Sequence, residues 1–279
     1  MLSHTARITT DYNRELARPI RLGHFAWHLA RKIVRPLWLW AGHRTRGRWA
    51  KPMLIAIPAA LIVMPFDELL TAIARTLIDR DNAIHLGGDI VRMLDTLQEY
   101  GGFASLGIVA AVIWLLDPAN RRRLADLAVA AAVSGLSIPI MKMIVGRPKP
   151  RSAMAELYDA DTFLGPFGAA PLGPDLGVRH AWEFWVPGIS LLQSMPSAHA
   201  ASAAILSIFL YTLYPRLKML LITMVVIVGC CRVLFVAHWA SDVIIGTGIG
   251  VAIAQVVLAS GSKRGGWGCR YLEARQRSA

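Results

Sequence analysis

The chain has 279 residues, with 30 Lys and Arg against 18 Asp and Glu for a formal charge of +12; 55% of residues are apolar and only 17% charged. That balance excludes a disordered chain, and 23 Gly with 15 Pro exclude a low-complexity or collagen-like one. The apolar residues fall in blocks rather than at the periods of a soluble core, so the sequence reads as a multi-span membrane protein.

In chain order, residues 1–51 form a basic arm. Leu22, Phe25, Leu29 and Ile33 repeat at helical spacing, while Arg21, His24, His28, Arg31, Lys32 and Arg35 take the other side. A basic amphipathic helix ending near Pro36 is expected on the anionic inner leaflet, with Trp27, Trp38, Trp40 and Trp49 at the interface. A partly disordered tail is the alternative for residues 1–18. The arm is too long and too basic before its first apolar block to resemble a cleaved signal peptide.

Residues 52–261 carry six apolar blocks, at 53–66, 100–116, 127–141, 200–214, 219–231 and 243–261. Only the last reaches the ~20 residues of a span by itself; the others need flanking residues whose charges snorkel. Leu69, Leu70, Ile73 and Leu77 predict a second surface helix in the first outer loop. Residues 262–279 form a basic tail, where Cys269 reads as an ordinary cytoplasmic thiol. The expected fold is all-α, a six-transmembrane-helix bundle with a basic amphipathic cytoplasmic N-terminal arm.

A buried helical bundle in water is the alternative, because the shorter blocks are ambiguous one by one. Charge sidedness separates the two. If the N-terminus lies inside and all six blocks cross, segments 1–52, 117–126, 215–218 and 262–279 hold 21 basic residues against five acids. The rest of the chain holds nine against thirteen. Basic residues favour cytoplasmic loops, so the net charge reflects orientation, and the lipid bilayer rather than nucleic acid is the expected partner. Three Cys, two of them adjacent, make no disulfide framework. With neither C-x-x-C nor H-E-x-x-H, no metal site or cofactor is expected. Nothing in the sequence fixes an oligomeric state.

Three charged clusters fall on the outer side. Lys142, Arg147, Lys149 and Arg151 lie within ten residues, where Gly146, Pro148 and Pro150 end a helix and force an extended turn. Converging cations make an anion site; a snorkelling helix end with a solvated turn is the alternative. In Ser194-Met195-Pro196-Ser197-Ala198-His199 the proline and small residues resemble a helix start, whose free N–H groups favour an anion. His199 would then stand on the first turn, able to exchange a proton or simply to pack. In the third cluster, His238 and Asp242 are four apart and share a helical face, so the carboxylate can fix the imidazole tautomer. Arg232 marks the outer end of a span, where a charge needs a partner or a ligand; a His–Asp cap beside a snorkelling Arg is the bland reading. Two histidines, a carboxylate and several cations together fit covalent phosphoryl transfer.

The ordered triple resembles the type 2 phosphatidic acid phosphatase (PAP2) superfamily, whose pattern is Lys-x6-Arg-Pro, Pro-Ser-Gly-His and Ser-Arg-x5-His-x3-Asp. Here it reads Lys142-x6-Lys149-Pro150, Pro196-Ser197-Ala198-His199 and Cys231-Arg232-x5-His238-x3-Asp242. The resemblance implies that His238 is a nucleophile forming a phosphohistidine, oriented by Asp242, and that His199 protonates the leaving oxygen and later helps activate water. It implies that Lys142, Lys149 and Arg232 hold phosphate oxygens, with Ser197 and Ala198 at the helix start. Three departures stand out. Lys149 replaces Arg, exchanging a planar fork for a point charge, and Arg147 is the alternative for that position. Ala198 replaces Gly, and Cys231 replaces Ser with a poorer donor.

The resemblance therefore implies a metal-independent, multi-pass phosphatase of the bacterial inner membrane, with both termini cytoplasmic and the site on the outer face. The expected substrate is a membrane lipid phosphate or diphosphate of the undecaprenyl diphosphate, phosphatidylglycerophosphate, phosphatidic acid or lipid A type. The loop between Arg151 and Ser194, with Trp182 and Trp185, is expected to help choose among them. A lipid phosphotransferase of the same fold and a catalytically silent lipid-phosphate binder are the rivals; a haloperoxidase fits less well, since those are typically soluble.

Overall fold

The computed structural model describes residues 42–78, 86–151, 159–160, 162–172 and 176–262. The amphipathic helix expected before Pro36 and the tail beyond 262 lie outside the described residues. Residues 47–279 form one compact unit; of the other, 1–46, only the start of a helix is described.

That helix, α1 (Gly42–Val63), runs through a 3-10 turn (Met64–Phe66) into α2 (Asp67–Ile78). Helix α3 (Gly88–Gln98) and a 3-10 turn (Glu99–Gly101) lead to α4 (Phe103–Leu116), and a second 3-10 segment (Pro118–Arg123) leads to α5 (Leu124–Val145). The following loop holds an antiparallel pair, β1 (Ala169–Pro171) and β2 (Val178–His180), with Ala170 opposite Arg179. The chain ends in α6 (Ala198–Leu213), α7 (Lys218–Leu234) and α8 (Ala240–Ser262).

All six apolar blocks fall in helices, but the spans differ from the expected six. Four stretches are long and apolar enough to cross a bilayer: Ala50–Ile78, Pro118–Val145, Pro215–Leu234 and Ala240–Leu258. The pair Gly88–Gly101 and Phe103–Leu116 makes a fifth if counted as one span, bent by 66°. Helix α6 has only 16 residues. The segment expected as a separate surface helix instead continues the first apolar block to residue 78. Asp67, which ends that block in the sequence, has no exposed surface and is paired with Arg147 across the bundle.

Leu54, Leu115 and Leu136 are each 70% exposed. This outward apolar surface is what a bilayer solvates and water does not. The protein is a multi-pass membrane protein. Its most thoroughly buried helix is α6: Ala200 through Ser207, and Phe209, are enclosed. Small residues make this possible. A Cβ at Gly246 of α8 would collide with the Ser197 carbonyl, and one at Gly250 with the Ala201 carbonyl. Two residue pairs, each four apart, therefore set the α6–α8 contact. Below them Leu106, Ile113, Leu127, Ala130, Ile205, Leu206, Phe209 and Ala254 form the main core cluster.

Candidate active site

The ends of α3, α5, α6, α7 and α8 meet at one end of the bundle and bring the three sequence clusters together. Lys142 occupies the last turn of α5, which Gly146 closes in the left-handed conformation at φ 58°. Beyond it the Arg147–Pro150 turn is held from several directions. The Lys149 N–H donates to Leu191 O at 2.7 Å, Trp239 Nε1 to Pro148 O at 2.9 Å, and Arg75 Nη2 to Pro150 O at 2.7 Å.

Ser197 is the N-cap of α6 and Ala198 its first residue, with His199 on the first turn. The Ser197 N–H donates to Asp242 O at 3.1 Å, tying the start of α6 to α8. An N-cap serine ordinarily spends its hydroxyl on the first helical N–H groups. Ser197 does not: its Oγ is buried without a hydrogen-bond partner. Nε of Arg232, near the end of α7, is likewise buried and unpartnered, while its Nη1 donates to Gln98 Oε1 at 2.9 Å. The charges of Arg232, Lys142 and Lys149 all reach His199, whose Nε2 lies 3.9 Å from Glu99 Oε1.

Between α7 and α8 the chain reverses over five residues. Val236 takes φ 51°, a conformation a β-branched residue rarely adopts; such strain concentrates at functional sites. The reversal delivers His238, which is almost fully buried. Burial is the main cause holding its imidazole down to about 3, so the ring is neutral, with a lone pair, throughout the physiological range.

Asp242 does not hydrogen-bond His238 directly. The His238 Nδ1 to Asp242 Oδ2 separation is 3.7 Å, too long for a hydrogen bond. The Ser194 hydroxyl stands beside both groups, donating to Asp242 Oδ2 at 2.5 Å and lying 3.5 Å from His238 Nδ1. The Trp239 N–H also donates to Oδ2, at 3.1 Å.

Arg147, expected as one of the phosphate-binding cations, is placed differently. Its side chain has no exposed surface, with Nη2 donating to Asp67 Oδ2 at 2.8 Å and Nη1 to Asp242 Oδ1 at 2.5 Å. Nε and Nη2 donate to Ala160 O at 3.0 and 2.6 Å, Nη1 also donates to Ser241 Oγ at 2.7 Å, and the rings of Phe163 and Trp239 cover its faces. Arg147 is an alternative to Lys149 because it too precedes a proline, a local likeness that cannot register these partners, which come from three separate segments.

The profile of the PAP2 superfamily matches residues 123–265, just over half of the chain. The chain belongs to the PAP2 superfamily. Its fold is also similar to the crystal structure of a transmembrane PAP2-type phosphatidylglycerophosphate phosphatase from Bacillus subtilis, with a TM-score of 0.51 at 18% identity, covering 77% of this chain and 96% of that one. No curated protein matches the chain by sequence.

The PAP2 motifs thus account for His199, Arg232, His238 and Asp242, but not for Asp67, Gln98, Glu99 or Ser194. The available signal for Asp67 was an acid between two apolar runs, since charges at membrane depth mark functional sites. Ser194 offered none beyond its closeness to Pro196.

The lysine that replaces the family's arginine has a measurable consequence. Burial, then the charges of Lys142, Arg151 and Arg232, pushes the Lys149 ammonium down to about 7. A lysine with a lowered value is cationic below it and neutral above it. If Lys149 contacts the phosphate, kcat/KM should fall as pH rises through about 7 in the free enzyme. Lys149→Arg keeps its charge at all working pH and should flatten that limb. A pH–rate comparison of the two proteins checks this; coincident profiles would remove Lys149 from phosphate binding.

Proposed function

We propose that this PAP2 protein is an integral membrane phosphatase that hydrolyses a phosphate monoester or diphosphate of a membrane lipid through a phosphohistidine. The observation that carries the reading is that, of the five buried side-chain polar atoms without a partner among the described residues, two, Ser197 Oγ and Arg232 Nε, belong to this site, with the charges of Lys142 and Lys149 and a neutral His238. Buried donors are ordinarily satisfied, and a tetrahedral oxyanion is a ligand that satisfies donors arriving from several helix ends at once.

In this reading Lys142, Lys149, Arg232, Ser197 and the Ala198 N–H hold the phosphate oxygens. The Nε2 lone pair of His238 attacks phosphorus, the bond from phosphorus to the lipid oxygen breaks, and His199 gives that oxygen a proton. Water then attacks the phosphohistidine and passes a proton to His199; the P–N bond breaks, and its electron pair returns to Nε2. The charge on the transferring group is met by Lys and Arg, so turnover is expected to persist in EDTA. Six crossings with both termini inside are supported by the 21-to-five basic excess on the inward segments, with α6 crossing inside the shelter of the other helices. In this reading the site opens at the outer face of a bacterial inner membrane.

The test is inorganic phosphate release by the purified protein with EDTA, from undecaprenyl diphosphate, phosphatidylglycerophosphate, phosphatidic acid and lipid A phosphates. Release from at least one, inhibited by vanadate as a mimic of the five-coordinate transition state, is expected. Activity abolished by chelator and restored by one metal would overturn the mechanism, and release that appears only with an added alcohol acceptor would make the protein a transferase.

A further inference from the structure

The site is backed by a charged chain that starts at a residue no family motif covers. Asp67 lies in α2, well outside the matched region of 123–265. It has no exposed surface, and both its oxygens are engaged. Oδ1 accepts the Ser241 N–H at 3.0 Å; Oδ2 accepts Arg147 Nη2 at 2.8 Å and the Ser241 hydroxyl at 2.5 Å. Arg147 then reaches Asp242, Asp242 accepts from Ser194, and Ser194 meets His238 Nδ1. The order is Asp67, Arg147, Asp242, Ser194, His238.

Two carboxylates and one guanidinium give this buried group a formal charge of −1. A single Asp242–Arg147 pair would be neutral, and a free guanidinium fork would tend to take both oxygens of Asp242. Asp67 occupies the second arm of that fork. Asp242 Oδ2 thereby makes no bond to Arg147; it accepts from Ser194 and the Trp239 N–H and faces the Nδ1 edge of the imidazole.

We propose that Asp67 and Ser194 are positioning residues for the nucleophile: Asp67 sets the net charge behind His238, and Ser194 connects that charge to the ring. The inference rests on the phosphohistidine reading. When Nε2 takes the phosphoryl group, the ring, with its proton on Nδ1, becomes cationic. A fixed negative group behind Nδ1 stabilises that charge in the transition state, where it raises kcat rather than substrate affinity.

The experiment is rapid-quench measurement of phosphoenzyme formation, using the 32P-labelled lipid that releases phosphate fastest in the four-lipid panel. The amplitude counts folded, competent molecules; the rate constant reads positioning. Asp67→Asn keeps the shape and removes the charge. It should slow formation about 10- to 100-fold with KM changed less than about twofold, since the charge acts only as the ring becomes cationic. Ser194→Ala should slow it about tenfold, and Ser194→Thr should restore most of the rate.

Wild-type rate constants in both variants, with only the amplitude reduced, would overturn the proposal and leave Asp67 as a folding tie. If Asp67→Asn gives no competent molecules, the Ser194→Ala and Ser194→Thr pair decides by the same criterion. If the wild-type protein releases phosphate but forms no phosphoenzyme, the phosphohistidine reading falls and takes this proposal with it; an intermediate in the wild type with unaltered variants overturns this proposal alone.

Discussion

His238→Ala should abolish phosphate release, with a fall in kcat of about three orders of magnitude or more, while leaving the protein folded and able to bind lipid phosphate. The loss follows from the ring's role as the attacking group, since without Nε2 there is no covalent step and the surrounding cations can only bind. The retained fold follows from its contacts. The nearest polar partner of the ring stands at 3.5 Å, and Asp242 keeps its bonds from Arg147, Ser194 and Trp239 when the ring is removed. The retained affinity follows from Lys142, Lys149 and Arg232, none of which depends on His238. Phosphate release and lipid-phosphate binding measured on the same preparation check all three points. Residual turnover within tenfold of wild type would remove His238 from the chemistry, and loss of binding together with turnover would make it a structural residue.

Arg147→Met should have the largest effect on stability. The substitution keeps much of the side-chain length but leaves Asp67 and Asp242 buried with no cation between them. Removing one partner from a buried ion pair costs about 3–5 kcal/mol, and here two carboxylates lose the same partner. For a chain of this size that corresponds to a fall of roughly 10 °C in melting temperature, measurable by thermal unfolding in detergent. Adding Asp67→Asn should recover part of the loss, because one uncompensated carboxylate then remains instead of two. A melting temperature unchanged by Arg147→Met, or losses that simply add in the double variant, would contradict this account of Arg147.

Much of the site was legible because its chemistry is written in short spacings. The Pro196–His199 helix start carries its geometry with it, whereas the shared helical face expected for His238 and Asp242 is not formed: His238 lies in the turn before α8, which begins at Ala240. Four of the five helix ends that meet at the site also lie close to where apolar blocks begin or stop; α3 (Gly88–Gln98) lies outside every block. What was not legible depends on distance along the chain. Asp67 meets Ser241 across 174 residues and Arg147 across 80, and no local pattern encodes either pairing. Because hydropathy treats an acid as a break, Asp67 ended a span in the sequence, whereas neutralisation by Arg147 lets the helical stretch run on to Ile78. The same blindness made Arg147 look like a spare phosphate ligand. The direct His238–Asp242 bond expected from the spacing is instead a 3.7 Å separation, and Ser194, four residues before Ala198, stands beside both groups. Nor did apolar length alone convey that α6, with 16 residues, is enclosed rather than lipid-facing.

The central claim is a covalent bond between phosphorus and His238 Nε2, and trapping it is the most direct measurement. Wild-type protein quenched during turnover of a 32P-labelled lipid phosphate should carry label that is stable to base and released by acid, as a phosphohistidine is. The label should map to the peptide containing His238 and be absent from His238→Ala. Phosphate release by the wild type with no trapped label, or label that persists in His238→Ala, would contradict it.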